Sequence, residues 1–246
     1  MDETADLDEV RRRLSTAQRI TVVTGAGVSA ASGVPTFRGP GGLWRNRQAT
    51  QLATPEAFRQ DPILVWEWYA WRRSVIATCE PNPAHHVIAR WSESPGFTLL
   101  TQNVDGLHER AGTRHVVRYH GSIWTLKCSG GCGAADWDDL RVPLDPLPPR
   151  CLSCGALARP GVVWFGEAIP PAAARAAQAA TACDVFLSIG TSSVVYPAAA
   201  LAAEARARGA FTVEINPETT GAAVDIAIPM GAEIALPLIS GQPIKG

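Results

Sequence analysis

"ITVVTGAGVSA", Ile20 to Ala30, is the stretch whose reading decides the fold. Its first half is apolar and rich in β-branched residues, the composition of a buried strand. It runs directly into Gly25-Ala26-Gly27-Val28-Ser29-Ala30, a G-x-G-x-x-A turn. Glycines in that context let a backbone approach a pyrophosphate, and the start of a following helix favours its charge. An ordinary tight turn has the same local pattern. The acidic residue that would grip a ribose about 20 positions further on is missing, because "GPGGLWRNRQ" stands there. Ribose recognition then falls to other residues, with Asn216 and Glu218 after a late strand as candidates.

Outward from this stretch the same rhythm recurs. "FTLLTQN" (97–103), "VVWF" (162–165), "DVFLSIGTS" (184–192) and "FTVEINPE" (211–218) read as strands, and "HVVRYHG" adds a further candidate. Between them lie alanine-rich helical segments, "PPAAARAAQAATA" and "PAAALAAEARARG". The second carries Arg206 and Arg208 in its last turn and Gly209 just beyond, a helix stop. Strands alternating with helices predict an α/β fold with a mainly parallel sheet covered on both faces. Ligands of such sheets bind at the carboxyl ends of the strands. Two regions break the alternation: a tryptophan-rich helical insert at about 40–90, and a short, cysteine-bearing, proline-rich piece at about 125–160.

The 246 residues carry a formal net charge of -1, which gives no electrostatic case for nucleic acid or an anionic membrane. Hydrophobic residues make up 46% of the chain, enough for a substantial core. "MDETADLDEVRRRL" lacks the apolar run of a signal peptide, and no apolar stretch approaches a membrane span. A cytoplasmic protein is expected.

Cys128 and Cys132 form a C-x-x-x-C pair, and Cys151 and Cys154 a C-x-x-C pair. Two close pairs at this separation suit one tetrahedral Zn2+, closed and structural because no histidine lies nearby. Cys79 and Cys183 fall outside the pattern and read as small core residues. "TQNVDGLH" and "YHGS" place Asn103, Asp105 and His120 on the same sheet edge as the glycine turn. Asparagine can bond an amide or a water, aspartate can accept from a carboxamide, and histidine suits proton transfer. In "VWEWYAWRR" (65–73), helical spacing puts Tyr69 and Arg72 on one face as an i, i+3 pair. Arg72 either snorkels from a core or waits in a pocket for an anion. Arg73 is expected at the surface.

Together, "GAGVSAASGVPTFRGPGGLW", "TQNVDGLHERAG", "YHGS", the cysteine pairs, "GVVWFGE", "IGTSSVVYPAA" and "INPE" resemble the successive signatures of the sirtuins, NAD-dependent protein lysine deacylases. The resemblance runs from roughly Val10 to Pro237. It implies one catalytic domain, with a large Rossmann-like part (about 1–39, 91–124 and 160–246) and a small part. The small part joins the helical insert (about 40–90) to a zinc module (about 125–159). By similarity Gly25, Ala26, Gly27, Phe37, Arg38 and Trp44 wrap NAD. Gln102, Asn103 and Asp105 line the nicotinamide pocket, and Gly190, Thr191 and Ser192 hold phosphate and ribose. Asn216 and Glu218 take the adenosine ribose, and Ala232 the adenine. His120 is the implied general base, deprotonating a ribose hydroxyl after the acyl oxygen has displaced nicotinamide. Asn103 serves the same chemistry.

"GVVWFGE", including Val163, is expected to pair with an extended acyl-lysine peptide by strand addition. A subgroup of the family carries tyrosine and arginine three apart, which implies that Tyr69 and Arg72 bind the carboxylate of a succinyl, malonyl or glutaryl group. Ala53 would keep that pocket wide. The competing expectation pairs Arg72 with Glu67 or Glu56. A plain deacetylase, a mono-ADP-ribosyltransferase and an NAD-sensing scaffold are the alternatives. The chain departs from the family at Ala31, usually glutamate, and in the three-residue spacer between Cys128 and Cys132. A monomer acting on acyl-lysine proteins is expected.

Overall fold

A computed structural model describes residues 3–36, 43–192 and 195–241. In chain order the first elements are α1 (Glu3–Thr16), β1 (Ile20–Thr24), β2 (Leu43–Trp44), β3 (Arg47–Gln48), α2 (Ala49–Leu52), α3 (Pro55–Gln60) and α4 (Pro62–Thr78). Next come α5 (Pro83–Trp91), β4 (Phe97–Thr101), α6 (Leu107–Arg110), β5 (Val116–Arg118), β6 (Gly121–Cys128), β7 (Trp137–Asp138) and β8 (Ala158–Val162). The chain finishes with α7 (Pro171–Ala180), β9 (Val185–Ile189), α8 (Leu201–Ala207), β10 (Phe211–Ile215), β11 (Ile226–Ile228) and α9 (Ala232–Ile239).

Six strands form one sheet in the order β11-β10-β9-β1-β4-β5, and every neighbouring pair is parallel. β1 sits at its centre, with Ile20 opposite Phe97 on one side and Val185 on the other. Successive strand residues point to opposite faces. Val22, Leu99 and Leu187 therefore enter a core with residues of α1, α5 and α9, while Val23, Leu100 and Phe186 enter another with residues of α7 and α8. Cys183 is buried in this second core. Chain order reverses at β1: β4 and β5 build out on one side, β9 to β11 on the other. A crevice opens where such a reversal occurs, at the carboxyl ends of the strands.

A third core joins the helical insert to an antiparallel sheet of order β7-β6-β8. α4 starts where the Asp61 side chain accepts from the Leu64 N–H at 2.9 Å and Pro62 takes the first turn, a standard helix start. Trp66, Trp68, Tyr69 and Ile76 are buried against Ile123, Leu126, Ala158 and Trp164, and Cys79 lies in the same core. The Trp66 Nε1–H donates to the Ala158 carbonyl at 2.8 Å. No described helix is long and apolar enough to cross a membrane.

Two expectations are corrected, and the helix after the glycine turn is specified. Strand β8 ends at Val162 rather than spanning Val162 to Phe165. Val163 N–H and Phe165 N–H instead donate to His120 and Ala53 carbonyls at 2.9 and 3.0 Å. The glycine turn leads into a 3-10 helix, Ala26–Ser32, not an α-helix. Arg73 is not a surface residue: it is 1% exposed. Its guanidinium donates to the carbonyls of Ile123 (3.2 Å), Asp139 and Arg141 (3.1 Å), pairs with the Asp139 carboxylate, and lies over the Trp124 ring. The partners come from β6 and the loop after β7, so this one side chain ties α4 to the cysteine-bearing module.

The four cysteine sulfurs of that module lie within 4.8 Å of one another. Neighbouring sulfurs are 3.5 Å (Cys128–Cys132), 3.6 Å (Cys128–Cys154) and 3.8 Å (Cys132–Cys151) apart. Zinc–sulfur bonds of about 2.3 Å in a tetrahedron separate sulfurs by about 3.8 Å, so the spacing fits that metal. Backbone N–H groups, that of Cys132 first, hold the Cys128 thiol down to about 6. The Ala156 N–H favours a thiolate at Cys154, yet the neighbouring Cys132 and Cys128 push it up to about 12. Several thiolates this close need a cation between them, and the four cysteines form a potential structural zinc site.

Two outcomes follow from this packing. Arg73→Met removes the donor of three carbonyls, two of them buried, and should cost about 3 kcal/mol, lowering the melting temperature on the order of 10 °C; thermal unfolding measures it. Elemental analysis should find one zinc per chain. Cys151→Ser should lose that metal and melt on the order of 10 °C lower or more.

Candidate active site

At the crevice the β1 and β9 turns touch through glycine. A Cβ on Gly27 would stand 2.7 Å from the Gly190 Cα, and Gly190 holds a φ of 59°. Gly25 N–H donates to Ile189 (3.0 Å) and Gly27 N–H to the Gly190 carbonyl (2.9 Å). The close approach that these glycines permit is first of all to each other.

A cavity of about 400 Å³ opens beside them. Gly25, Ala26, Gly27, Gly190, Thr191, Ser192 and Asn216 line it from the ends of β1, β9 and β10. Gln102, Asn103, Asp105 and His120 line it from the segments after β4 and β5, and Ala53, Tyr69, Arg72, Val163 and Trp164 from α4 and the segments after α2 and β8. Among the sequence-derived candidates, Trp44, Glu218 and Ala232 do not line it. Trp44 packs on Trp71 at 6.4 Å between ring centroids, and the Glu218 side chain is exposed. Ala232 is buried in the sheet core at the start of α9. Phe37 and Arg38 lie outside the described residues. The cysteine cluster is also away from the cavity lining.

The middle of the cleft is organised by Ser29, which sequence reasoning missed. Its Oγ–H donates to Asp105 Oδ2 at 2.8 Å and accepts from Asn103 Nδ2 at 3.1 Å. His85, also missed, stands behind it: Nδ1 accepts from the Asn82 N–H at 3.2 Å, so Nε2, 3.3 Å from Ser29 Oγ, carries the proton. Burial holds His85 down to about 4, and it holds His108, whose ring lies 4.8 Å away, well below the usual imidazole range. The only hint in the sequence was Ser29's place inside the glycine turn, because His85 is 56 residues away. Burial raises the Asp105 carboxyl, while the Leu107 N–H and Ser29 favour its charge.

His120 follows β5 at the strand ends. Its Nδ1 is 3.1 Å from the Gln102 carbonyl, which can only accept, so Nδ1 carries the proton and Nε2 keeps its lone pair. Burial lowers its pKa below 6.5, against the opposing carbonyl. The ring is a neutral base at neutral pH.

On the α4 wall, Tyr69 and Arg72 are 2% and 3% exposed. An Arg72 terminal nitrogen donates to the Pro35 carbonyl at 3.3 Å, and its guanidinium lies 5.5 Å from the Trp68 ring. Glu67 pairs with Arg45 and Glu56 with Arg59, so both carboxylates proposed as structural partners are engaged elsewhere. Burial raises the Tyr69 phenol above its usual range, and it stays a proton donor at neutral pH. Among the described lining residues Arg72 is the one permanent cation.

The pattern defining the Sir2 family matches residues 25–197. The chain is 50% identical over 203 residues to an NAD-dependent protein deacylase of Aquifex aeolicus, covering 82% of this chain and 84% of that one. It superposes on a Sir2 homologue–NAD complex with a TM-score of 0.89 at 40% identity, over 95% of this chain and 93% of the other. A Sir2 bound to a deacetylated peptide and 3′-O-acetyl ADP ribose superposes with a TM-score of 0.83 at 27% identity, over 96% and 97% of the chains. With a parallel sheet reversing at β1, a glycine-paired crevice and these relatives, the chain belongs to the Sir2 family, the sirtuins.

Proposed function

We propose that this sirtuin, an NAD-dependent protein deacylase, acts preferentially on lysines carrying acidic acyl groups, the succinyl, malonyl and glutaryl class, and more weakly on acetyl-lysine. The observation that carries the reading is a buried arginine and a buried tyrosine lining one end of the cleft. A guanidinium forks onto a carboxylate bidentately, and a phenol adds a third donor. Apolar Ala53 and Val163 beside them leave room for an acyl chain. A neutral acetyl group brings no carboxylate to this buried cation.

NAD is the co-substrate in this reading. It supplies a ribose carbon made electrophilic by a good leaving group, and so a place for the acyl group to go. Gly25 to Gly27, Gly190 to Ser192 and Asn216 would hold its nucleotide, with Phe37, Arg38, Trp44, Glu218 and Ala232 as further proposed contacts. Asn103 and Asp105 would hold the carboxamide end, fixed in direction by Ser29. His120 Nε2 would take the proton of a ribose hydroxyl, because its tautomer leaves that nitrogen as the base. The peptide would run beside Val163 to Glu167. Backbone N–H groups of residues 163, 164 and 165 already have partners inside the chain, and the Trp164 carbonyl accepts from the Glu167 N–H at 3.0 Å, so strand addition here would use the carbonyl oxygens of Val163 and Phe165.

A charged hydrogen bond is worth roughly 1.5–3 kcal/mol. Succinyl-lysine should accordingly exceed acetyl-lysine about 10- to 100-fold in kcat/KM on one peptide with NAD, and Arg72→Met should erase the difference. Acetyl preference with an inert Arg72→Met would make this a plain deacetylase. Replacing His120 by alanine should lower kcat by about 10²- to 10⁴-fold. Since burial lowers the His120 pKa, its neutral form persists into acid, and the acid limb of kcat/KM should lie below pH 6.5. A pH–rate profile at saturating NAD measures that limb.

A further inference from the structure

A phenol can bond a carboxylate only if its own proton points at it, and otherwise its oxygen repels the anion. The acidic-acyl reading therefore needs something to fix the direction of the Tyr69 hydroxyl. Trp164 Nε1 lies 2.9 Å from the Tyr69 oxygen, both atoms buried. An indole N–H is a donor and nothing else, so Tyr69 accepts in this bond and its proton must lie elsewhere around the oxygen.

The other neighbours do not take that proton. Rings of Trp66 and Trp68 pack on Tyr69 with centroids 6.3 and 4.5 Å away. Arg72 is a donor only. Glu167, the acidic residue on the adjoining wall, commits its oxygens to the Arg159 guanidinium at 2.5 and 2.8 Å and to the Trp164 N–H at 2.9 Å. Among the described residues none accepts the Tyr69 proton, which leaves the cavity as its direction.

We infer that Trp164 is a specificity-determining positioning residue, whose indole N–H turns Tyr69 into an obligatory donor and so makes this end of the cleft select acyl groups ending in an acceptor-only carboxylate. The inference rests on the acidic-acyl reading and deepens it. The indole is itself held before any substrate arrives. The Arg159 guanidinium stacks 3.4 Å from its ring centroid, Phe58 packs at 5.3 Å, and the side chain is buried. Arg159 is fixed in turn by Glu167 and the Val162 carbonyl. A donor set already pointing at its ligand loses little order on binding. The motif "GVVWFGE" thereby does two jobs: its backbone borders the peptide path, and its tryptophan sets the polarity of a residue 95 positions away.

The test is a double-mutant cycle on kcat/KM with succinyl- and acetyl-lysine versions of one peptide, using wild type, Trp164→Phe, Tyr69→Phe and the double variant. Trp164→Phe should lower succinyl efficiency about 5- to 10-fold more than it lowers acetyl efficiency, mainly through KM. In the Tyr69→Phe background the same change should add nothing, because no hydroxyl remains to orient. Losses that multiply in the double variant, or equal losses on both substrates, would mean packing alone and overturn the inference. So would a Trp164→Phe enzyme indistinguishable from wild type. If phenylalanine lowers the melting temperature, the benzothiophene analogue of tryptophan at 164 keeps the shape, removes the N–H and should reproduce the succinyl defect. Arg72→Met separates the two levels. Wild-type succinyl preference that collapses in Arg72→Met but survives Trp164→Phe defeats only the Trp164 inference. No succinyl preference in wild type defeats both.

Discussion

The contact on which the rest depends is the one between the β1 and β9 turns. Two backbones meet there with no side chain between them, joined by Gly25 N–H to Ile189 and Gly27 N–H to Gly190. Any Cβ at Gly27 would collide with main chain, which cannot swing aside as a flexible side chain can. The parallel sheet reverses direction at this seam, so the carboxyl ends of β1, β4 and β9 converge on one crevice. Ala26, Gln102 and Thr191 reach the same cavity from three different strand ends because of that convergence. The sheet fixes where the site is, and the turns fix how closely its walls can approach.

The other wall of the crevice depends on α4. Consecutive residues of a helix point about 100° apart, and α4 uses that angle at Arg72 and Arg73. Arg72 faces the cleft, while Arg73 faces the cysteine module and holds three carbonyls and a carboxylate of β6 and the loop after β7. Burying a second guanidinium is costly, but with this many acceptors the charge is compensated. The consequence is mechanical. The helix cannot turn about its axis to move Arg72 without breaking the bonds of Arg73, so the cysteine-bearing module sets the orientation of the cleft's cation from behind.

How much of this the sequence shows depends on the range of each interaction. Strand β1, its glycine turn and the α/β alternation are legible because burial and turn chemistry act over a few residues. The cysteine cluster is legible because its spacing is chemical. Arg73 was misread because its acceptors lie 50 to 68 residues away, and an isolated helix would leave that face to water. Strand β8 was placed too late, because "VVWF" has the stronger strand propensity whereas the true strand contains Pro160 and Gly161. Pairing with β6 outweighs that local preference. Ser29 and His85 share the same difficulty: neither residue type signals a partner 56 positions off.

The electrostatics of the cleft follow from one condition, removal from water. Burial lowers the pKa of the imidazoles at His85, His108 and His120 and raises that of the Asp105 carboxyl and the Tyr69 phenol. Each shift favours a neutral form, so the middle of the cleft carries little mobile charge beyond what Ser29 and the Leu107 N–H stabilise on Asp105. Arg72 cannot neutralise in the same way, because a guanidinium keeps its proton near neutral pH even when buried. A permanent cation in a low-dielectric cleft attracts an anion more strongly than the same cation in water would. In the proposed acidic-acyl reading, this pairing of neutral base and fixed cation would let a single cleft take a proton at His120 and hold a carboxylate at Arg72.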